Sequence, residues 1–180
     1  NNWVTTKDAT ANFNLDCNEY TLIPDTNFEA KLIALNFDNV ADGRVLTSKI
    51  SNIKSLDVSR SSIADLTGIH DFTLLNTLHC ESNNLISLDV SKNTALKSLS
   101  CNNNALTSID VSKNTALTNL AISNNKISTI DISTNISLTN IDLDNNNLTS
   151  LDVSKNTVLN YLNCSSNKFT SLDVSKNTAL

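Results

Sequence analysis

The decapeptide SLDVSKNTAL occupies Ser87–Leu96 and returns unchanged at Ser171–Leu180. Close variants of it begin at Ser108, Thr129 and Ser150, so that five copies follow one another at a constant step of 21 residues. A fixed internal period indicates a repeat architecture, in which each unit packs against the units before and after it. The decapeptide therefore sets the fold of most of the chain.

The repeating unit has apolar residues at regular positions. Its position 1 is Leu75, Leu96, Leu117, Leu138 and Leu159, and the unit reads LxxLxLxxNxLxxLDVxxNxx. Leu78 and Cys80 alternate with His79, which is the pattern of a strand with one buried face. We expect the same alternation around Asp89. One unit is too short to bury its apolar positions alone, so stacked units with parallel strands ~4.8 Å apart are predicted.

Asparagine recurs twice in every unit. The chain has 30 Asn but only 2 Gly and 1 Pro, so asparagine must take over the turns. Position 9 is Asn83, Asn104, Asn125, Asn146 and Asn167, and position 19 is Asn93, Asn114, Asn135, Asn156 and Asn177. We expect the position 9 amides to bond peptide groups of their own and the next turn, because such groups cost ~1–3 kcal/mol each when buried unpaired. Position 19 is expected to repeat this arrangement on the opposite side.

The pattern from Leu75 to Leu180 resembles the leucine-rich repeat family, in the short 21-residue form of bacterial proteins. Residues 53–74 form a 22-residue forerunner, whose LTGI stretch is similar to internalin-type repeats. The resemblance implies a solenoid with a parallel β-sheet on its concave face and short extended or turn segments on its back. The phrase IPDTNFEAKLIAL also resembles secreted or surface proteins of the Bacteroidetes group, which implies a location outside the cell.

Residues 1–52 do not repeat, and we interpret them as an N-terminal cap over the first repeat. The cap is predicted to hold a strand before residue 22 and a helix over residues 24–36, with Phe28 and Leu32 on its apolar stripe. Five 21-residue repeats then fill residues 75–180, and the last phrase is interrupted at Leu180. Either the protein continues beyond it or the uncapped coil supports end-to-end self-association.

The composition disfavours several classes of function. A net charge of −5 and a pI near 4.8 disfavour nucleic-acid binding, and no apolar run reaches the ~18 residues of a membrane span. His70 and His79 have no paired nucleophile, so no catalytic residue, metal or cofactor is predicted. Calcium between the aspartates of position 15 is a minor alternative, because the pattern supplies few oxygens.

The cysteines are interpreted as core residues. Cys80, Cys101 and Cys164 share position 6, where they act as small hydrophobic side chains. A disulfide between Cys80 and Cys101 stays open as an alternative, although parallel in-register side chains point the same way. Cys17 has no obvious partner.

The outward residues of the main strand are the candidate binding surface, because solenoids usually bind there. We select His79, Glu81, Lys97, Asn119, Asp142, Asp144, Tyr161 and Asn163. His79 and Tyr161 are the possible anchors on a face nearly free of the Trp, Tyr and Arg that dominate protein interfaces. A polar interface with a protein or a glycan is therefore expected.

The favoured function is a non-enzymatic binding or adhesion module at the bacterial surface or in a secreted protein. The alternative is a structural spacer or assembly subunit. Ice or mineral binding is a further hypothesis, based on the threonine row Thr94, Thr115, Thr157 and Thr178, which Ile136 interrupts.

Overall fold

The computed structural model describes residues 19–180, which form a cap followed by a row of stacked coils. In the cap, β1 (Tyr20–Leu22) pairs antiparallel with β2 (Arg44–Leu46), and the helices are α1 (Thr26–Ala34) and α2 (Thr47–Ile50). The coils contribute β3 (Ser55–Asp57), β4 (Thr77–His79), β5 (Ser98–Ser100), β6 (Asn119–Ala121), β7 (Asn140–Asp142) and β8 (Tyr161–Asn163), with a 3₁₀ helix at Ile69–Asp71. These six strands form one parallel sheet in chain order.

The register of this sheet follows the sequence period. Leu78 pairs with Leu99 and Leu99 with Leu120, so that each residue pairs with its counterpart one repeat later in the chain. These leucines are almost completely buried and belong to one continuous apolar core that runs from the cap through the coils. The predicted parallel-sheet solenoid is thus confirmed.

The asparagine of position 9 joins neighbouring coils by hydrogen bonds in the turn that follows each strand. The Nδ2 group of Asn146 donates to the Ile122 and Leu143 carbonyls at 3.0 and 3.1 Å, and its Oδ1 accepts the Ile127 N–H at 3.0 Å. Asn83, Asn104, Asn125 and Asn167 make equivalent contacts. The neighbouring coil involved is the preceding one, not the next one as expected. For Asn146, the groups of the preceding coil are the Ile122 carbonyl and the Ile127 N–H. Both follow β6, where the sheet no longer provides them with hydrogen-bond partners.

The asparagine of position 19 makes only half of this arrangement. Asn114 Nδ2 donates to the Val90 and Asn93 carbonyls, both at 2.9 Å and both in the preceding coil. Its Oδ1 is buried and has no hydrogen-bond partner among the described residues. The prediction that position 19 repeats the hydrogen bonds of position 9 was therefore wrong for the amide oxygen. The Asn114 N–H donates to the Val111 carbonyl, and the Leu117 N–H donates to the Asn114 carbonyl. Neither N–H group is therefore free to bond the amide oxygen of Asn114.

The second half of each unit differs from the strand expected around Asp89. Only an isolated bridge joins Asp89 to Asp110, and neither lies in a strand. The Asp89 carboxylate instead accepts the Ser91 N–H at 2.9 Å. Such a side-chain turn competes with the sheet for backbone donors. The hydrogen bonds from Ser91 also lower the pKa of Asp89.

Position 8 of the unit requires a left-handed backbone. Ser82, Asn103, Asn124, Asn145 and Ser166 all have φ between 51° and 57°. Asparagine tolerates this conformation better than most residues because its short amide bonds locally. The chain thus makes these turns without glycine.

The cysteines of the sheet are free thiols in this structure. Cys80 and Cys101 are completely buried, and Cys164 is half-buried. A hydrogen bond with Cys80, together with burial, raises the pKa of Cys101. Cys17 lies outside the described residues.

One carboxylate joins the cap to the first coil. Asp25 caps α1 by accepting the N–H groups of Asn27 and Phe28, both at 2.9 Å, on Oδ1. Its Oδ2 accepts those of Ala64 and Asp65 at 2.8 and 3.0 Å. The side chain therefore holds the helix and the first coil at the same time.

Acid is expected to loosen this junction. Partial burial opposes ionisation of Asp25, but the four backbone N–H groups outweigh it and lower its pKa below the usual 3.8. A lowered pKa in the folded state stabilises the protein above the unfolded value, and this stabilisation is lost as the pH falls through the folded value. Protection of the α1 amides, measured relative to their intrinsic exchange rate at each pH, should therefore fall below about pH 4. Asp25→Asn should show reduced protection already at pH 7, with little further change in acid; unaltered protection at pH 7 would contradict this assignment.

Candidate binding site on the outward strand face

The selected residues lie on the outward face of β4 to β8 or directly beside it. Strand positions pair in register from coil to coil, so His79 is in line with Ser100, Ala121, Asp142 and Asn163. Tyr161 lies in the neighbouring row, four strands away from His79. At ~4.8 Å per strand this separation is about 19 Å, so the two expected anchors do not form one site.

His79 and Glu81 form one local group at the first coils. The Nδ1 atom of His79 lies 3.7 Å from Oε2 of Glu81, which is buried and makes no hydrogen bond within residues 19–180. Asp57 pairs in register with His79. Hydrogen bonds from Ser59 lower the pKa of Asp57, and the His79 side chain contributes in the same direction.

Lys97 belongs neither to the His79–Glu81 group nor to the surroundings of Tyr161. It is exposed and directly precedes β5, and its carbonyl accepts the N–H groups of Thr118 and Asn119 at 2.9 and 3.1 Å. Its side chain forms no ion pair with a described residue. No ion pair with a described residue therefore supports the predicted binding role of Lys97.

A shallow depression of about 140 Å³ lies over β6 to β8. Ala121, Leu120 and Ile141 contribute to its base, and it is lined by Asn119, Asn140, Asp142 and Tyr161. The Tyr161 side chain is 48% exposed. Ala121 contributes only a methyl group to its row, beside the longer side chain of Asp142. Three of the residues selected from the sequence, Asn119, Asp142 and Tyr161, meet here.

Hydrogen bonds orient the two amides at this depression. The Thr118 hydroxyl donates to Asn119 Oδ1 at 2.8 Å, and the Thr139 hydroxyl donates to Asn140 Oδ1 at 2.9 Å. Each hydroxyl shares its one proton with a main-chain carbonyl of the preceding coil, 3.1 Å away. Among the described residues the Nδ2 groups of both amides make no hydrogen bond. They are therefore available to a ligand.

The carboxylate at this depression is oriented in the same way. Asp142 Oδ1 accepts the Asn163 Nδ2 group at 3.1 Å and the Asp144 N–H at 3.2 Å. No described residue donates to Oδ2. Two further selected residues therefore contact Asp142 directly, Asn163 through its side chain and Asp144 through its backbone N–H.

Asn140 and Ala121 belong to the outward strand positions but were not among the selected residues. The signal for Asn140 was present, because the pair Thr139–Asn140 repeats Thr118–Asn119 after 21 residues. The importance of Ala121 depends on which side chains the register brings beside it. Reading one unit at a time could not show those neighbours.

Residues 19–180 also lack a candidate metal site and a candidate membrane-spanning helix. No group of three His, Cys, Asp or Glu side chains is placed to hold a metal ion. None of the helices in this range is long and apolar enough to cross a membrane.

Similarity to known proteins agrees with the coil geometry. No family model matches the chain. Over 71 residues it is 43% identical to internalin J of Listeria monocytogenes, a match that covers 39% of this chain and 8% of that protein. A solved internalin structure from Listeria monocytogenes has a TM-score of 0.78 at 26% identity, covering 88% of this chain and 48% of the other. The coils thus have the leucine-rich repeat fold, and the chain is similar to internalins of Listeria monocytogenes.

A more distant structure shares the leucine-rich repeat fold. A leucine-rich repeat protein of Leptospira interrogans has a TM-score of 0.64 at 22% identity, covering 73% of this chain and 36% of the other. The chain spans less than half of the length of each of these three proteins. Each match therefore concerns only a part of those proteins.

Proposed function

We propose that this leucine-rich repeat chain is a non-enzymatic recognition module that binds a protein or glycan through its outward strand face, outside a bacterial cell. The observation that carries the proposal is the depression over β6 to β8. There Asn119, Asn140 and Asp142 are fixed by hydrogen bonds that leave one polar end of each free. Groups that are oriented before binding lose less entropy when a ligand arrives.

The internalin similarity supports the same proposal and its location. A stretch of 71 residues is 43% identical to internalin J, and the sequence resemblance to surface or secreted proteins implies display outside the cell. The buried leucines and the hydrogen-bonded asparagines of positions 9 and 19 account for the other regular positions of the repeat. Each polar side chain at the depression keeps one end that stacking does not use.

Binding to an array of extracellular proteins and glycans tests this function. Tyr161→Ala and His79→Ala change the two ends of the strand face. Thr115→Ala is the matched control, because Thr115 is exposed at position 20 outside the strands. A ligand should be found whose binding falls at least about tenfold with one strand-face variant, as for an interface anchor, and stays unchanged in the control. Equal binding by all three variants would reject the strand face as the binding surface.

A further inference from the structure

We infer that the depression around Ala121 is a subsite for one neutral sugar ring. The inference rests on the proposed function and names the ligand class of the same face. The inference follows from the size of the depression, from the polar groups that line it and from the absence of lysine and arginine among its lining residues. Each of these is set by the alignment of β6, β7 and β8.

The size of the depression and the arrangement of its lining residues suit a single small ring. Asn119, Asn140 and Tyr161 are register neighbours in one row, and Ala121 and Asp142 are neighbours in the next. The two rows enclose a depression of about 140 Å³. Tyr161 has an exposed ring at one end, where its apolar surface is available for the C–H face of a sugar.

The hydrogen-bonding groups require a ligand that both donates and accepts. The Nδ2 groups of Asn119 and Asn140 are donors, and the Oδ2 atom of Asp142 is an acceptor. All three are free of hydrogen bonds among the described residues, while the opposite end of each group is held by a neighbour. A sugar hydroxyl acts as donor and acceptor at once, so adjacent hydroxyls of one ring can satisfy both kinds of group.

Charged ligands fit this arrangement less well. An ammonium or guanidinium group has donors only and cannot pair with the two amide N–H groups. A carboxylate or phosphate would meet the like charge of Asp142, and no lysine or arginine lines the depression to offset it. A neutral, hydroxyl-rich ring is therefore the chemistry that satisfies every free group.

The test is an NMR titration of the folded chain with neutral methyl hexosides, followed by their β-linked oligosaccharides. A site of one ring is expected to bind with a Kd of about 1–10 mM. Shifts should be confined to the Ala121 methyl group, the side-chain amides of Asn119 and Asn140, and the Tyr161 ring. The oligosaccharides should bind more tightly than the single rings.

Variants then separate the expected contacts. Tyr161→Ala should weaken sugar binding at least about tenfold, and Tyr161→Phe should stay within about threefold of the parent, because the ring face is retained. Asn140→Asp should weaken binding at least about tenfold, because it replaces a donor by a second carboxylate. His79→Ala is the control, since His79 lies outside the depression, and should bind as the parent does.

The outcomes distinguish this inference from the proposed function. Binding of a protein, and of no sugar, by the strand face would overturn the sugar subsite and leave the recognition function standing. Sugar binding that shifts residues elsewhere, or that survives Tyr161→Ala and Asn140→Asp, would overturn the subsite as well. Absence of any ligand that depends on the strand face would overturn both.

Discussion

Replacing Asn146 by aspartate is expected to destabilise the protein by about 3–5 kcal/mol at pH 7, although the two side chains have nearly the same shape. Asn146 is 7% exposed, and its Nδ2 group points at two main-chain carbonyls. A carboxylate there brings a negative charge against the Ile122 and Leu143 carbonyl oxygens. The charge also loses most of its water, with no cation among its partners. Asn147→Asp is the matched control, because Asn147 is more exposed and its side chain makes no hydrogen bond with a described residue.

The pH dependence of Asn146→Asp is the distinguishing measurement. Burial against carbonyls should raise the pKa of the new carboxyl in the folded state. Because the pKa is raised in the folded state, the variant is least stable relative to the parent at neutral pH. Its free energy of unfolding approaches that of the parent as the pH falls below the folded-state pKa. Urea unfolding at pH 7 and at about pH 4 measures this difference. A loss at pH 7 no larger than that of Asn147→Asp would contradict the structural role of position 9.

Gly68→Ala is expected to destabilise the junction between cap and coils by about 3 kcal/mol or more. Gly68 has φ +101°, which strains any other residue. A methyl group on it would lie 2.6 Å from the Leu22 carbonyl oxygen and 2.5 Å from Cδ1 of Ile23. The side chain of Ile23 can adjust, but the Leu22 oxygen belongs to the backbone of β1. The strand must therefore move away from the first coil.

Gly43→Ala separates the two causes of this effect. Gly43 has φ +81°, so it carries backbone strain, but a methyl group there would meet nothing within 4 Å. A loss of about 1–2 kcal/mol is expected from strain alone. Thermal unfolding and amide exchange in β1 and β2 should show the larger effect for Gly68→Ala. Equal effects of the two substitutions would show that close packing at Gly68 does not hold the cap.

The periodic part of the fold could be predicted because each unit repeats the same physical problem. Every 21 residues an apolar set too small to fold alone must meet its copy, so Leu78, Leu99 and Leu120 necessarily stack. The buried asparagines follow from the same need to satisfy turn backbone without glycine. The direction of their bonds toward the preceding coil and the unpaired Oδ1 of Asn114 could not be predicted. They depend on which turn groups remain free after the strands have paired.

The candidate site was predictable in part, for the same reason. Which residues face outward follows from the alternation in each strand, and that places Asn119, Asp142 and Tyr161 on one face. The separation of His79 from Tyr161 and the depression over Ala121 arise only when β6, β7 and β8 lie side by side. Repetition along the chain specifies the stack, because the same contacts recur in every coil. The site depends on the differences between adjacent coils, and those differences meet only across the sheet.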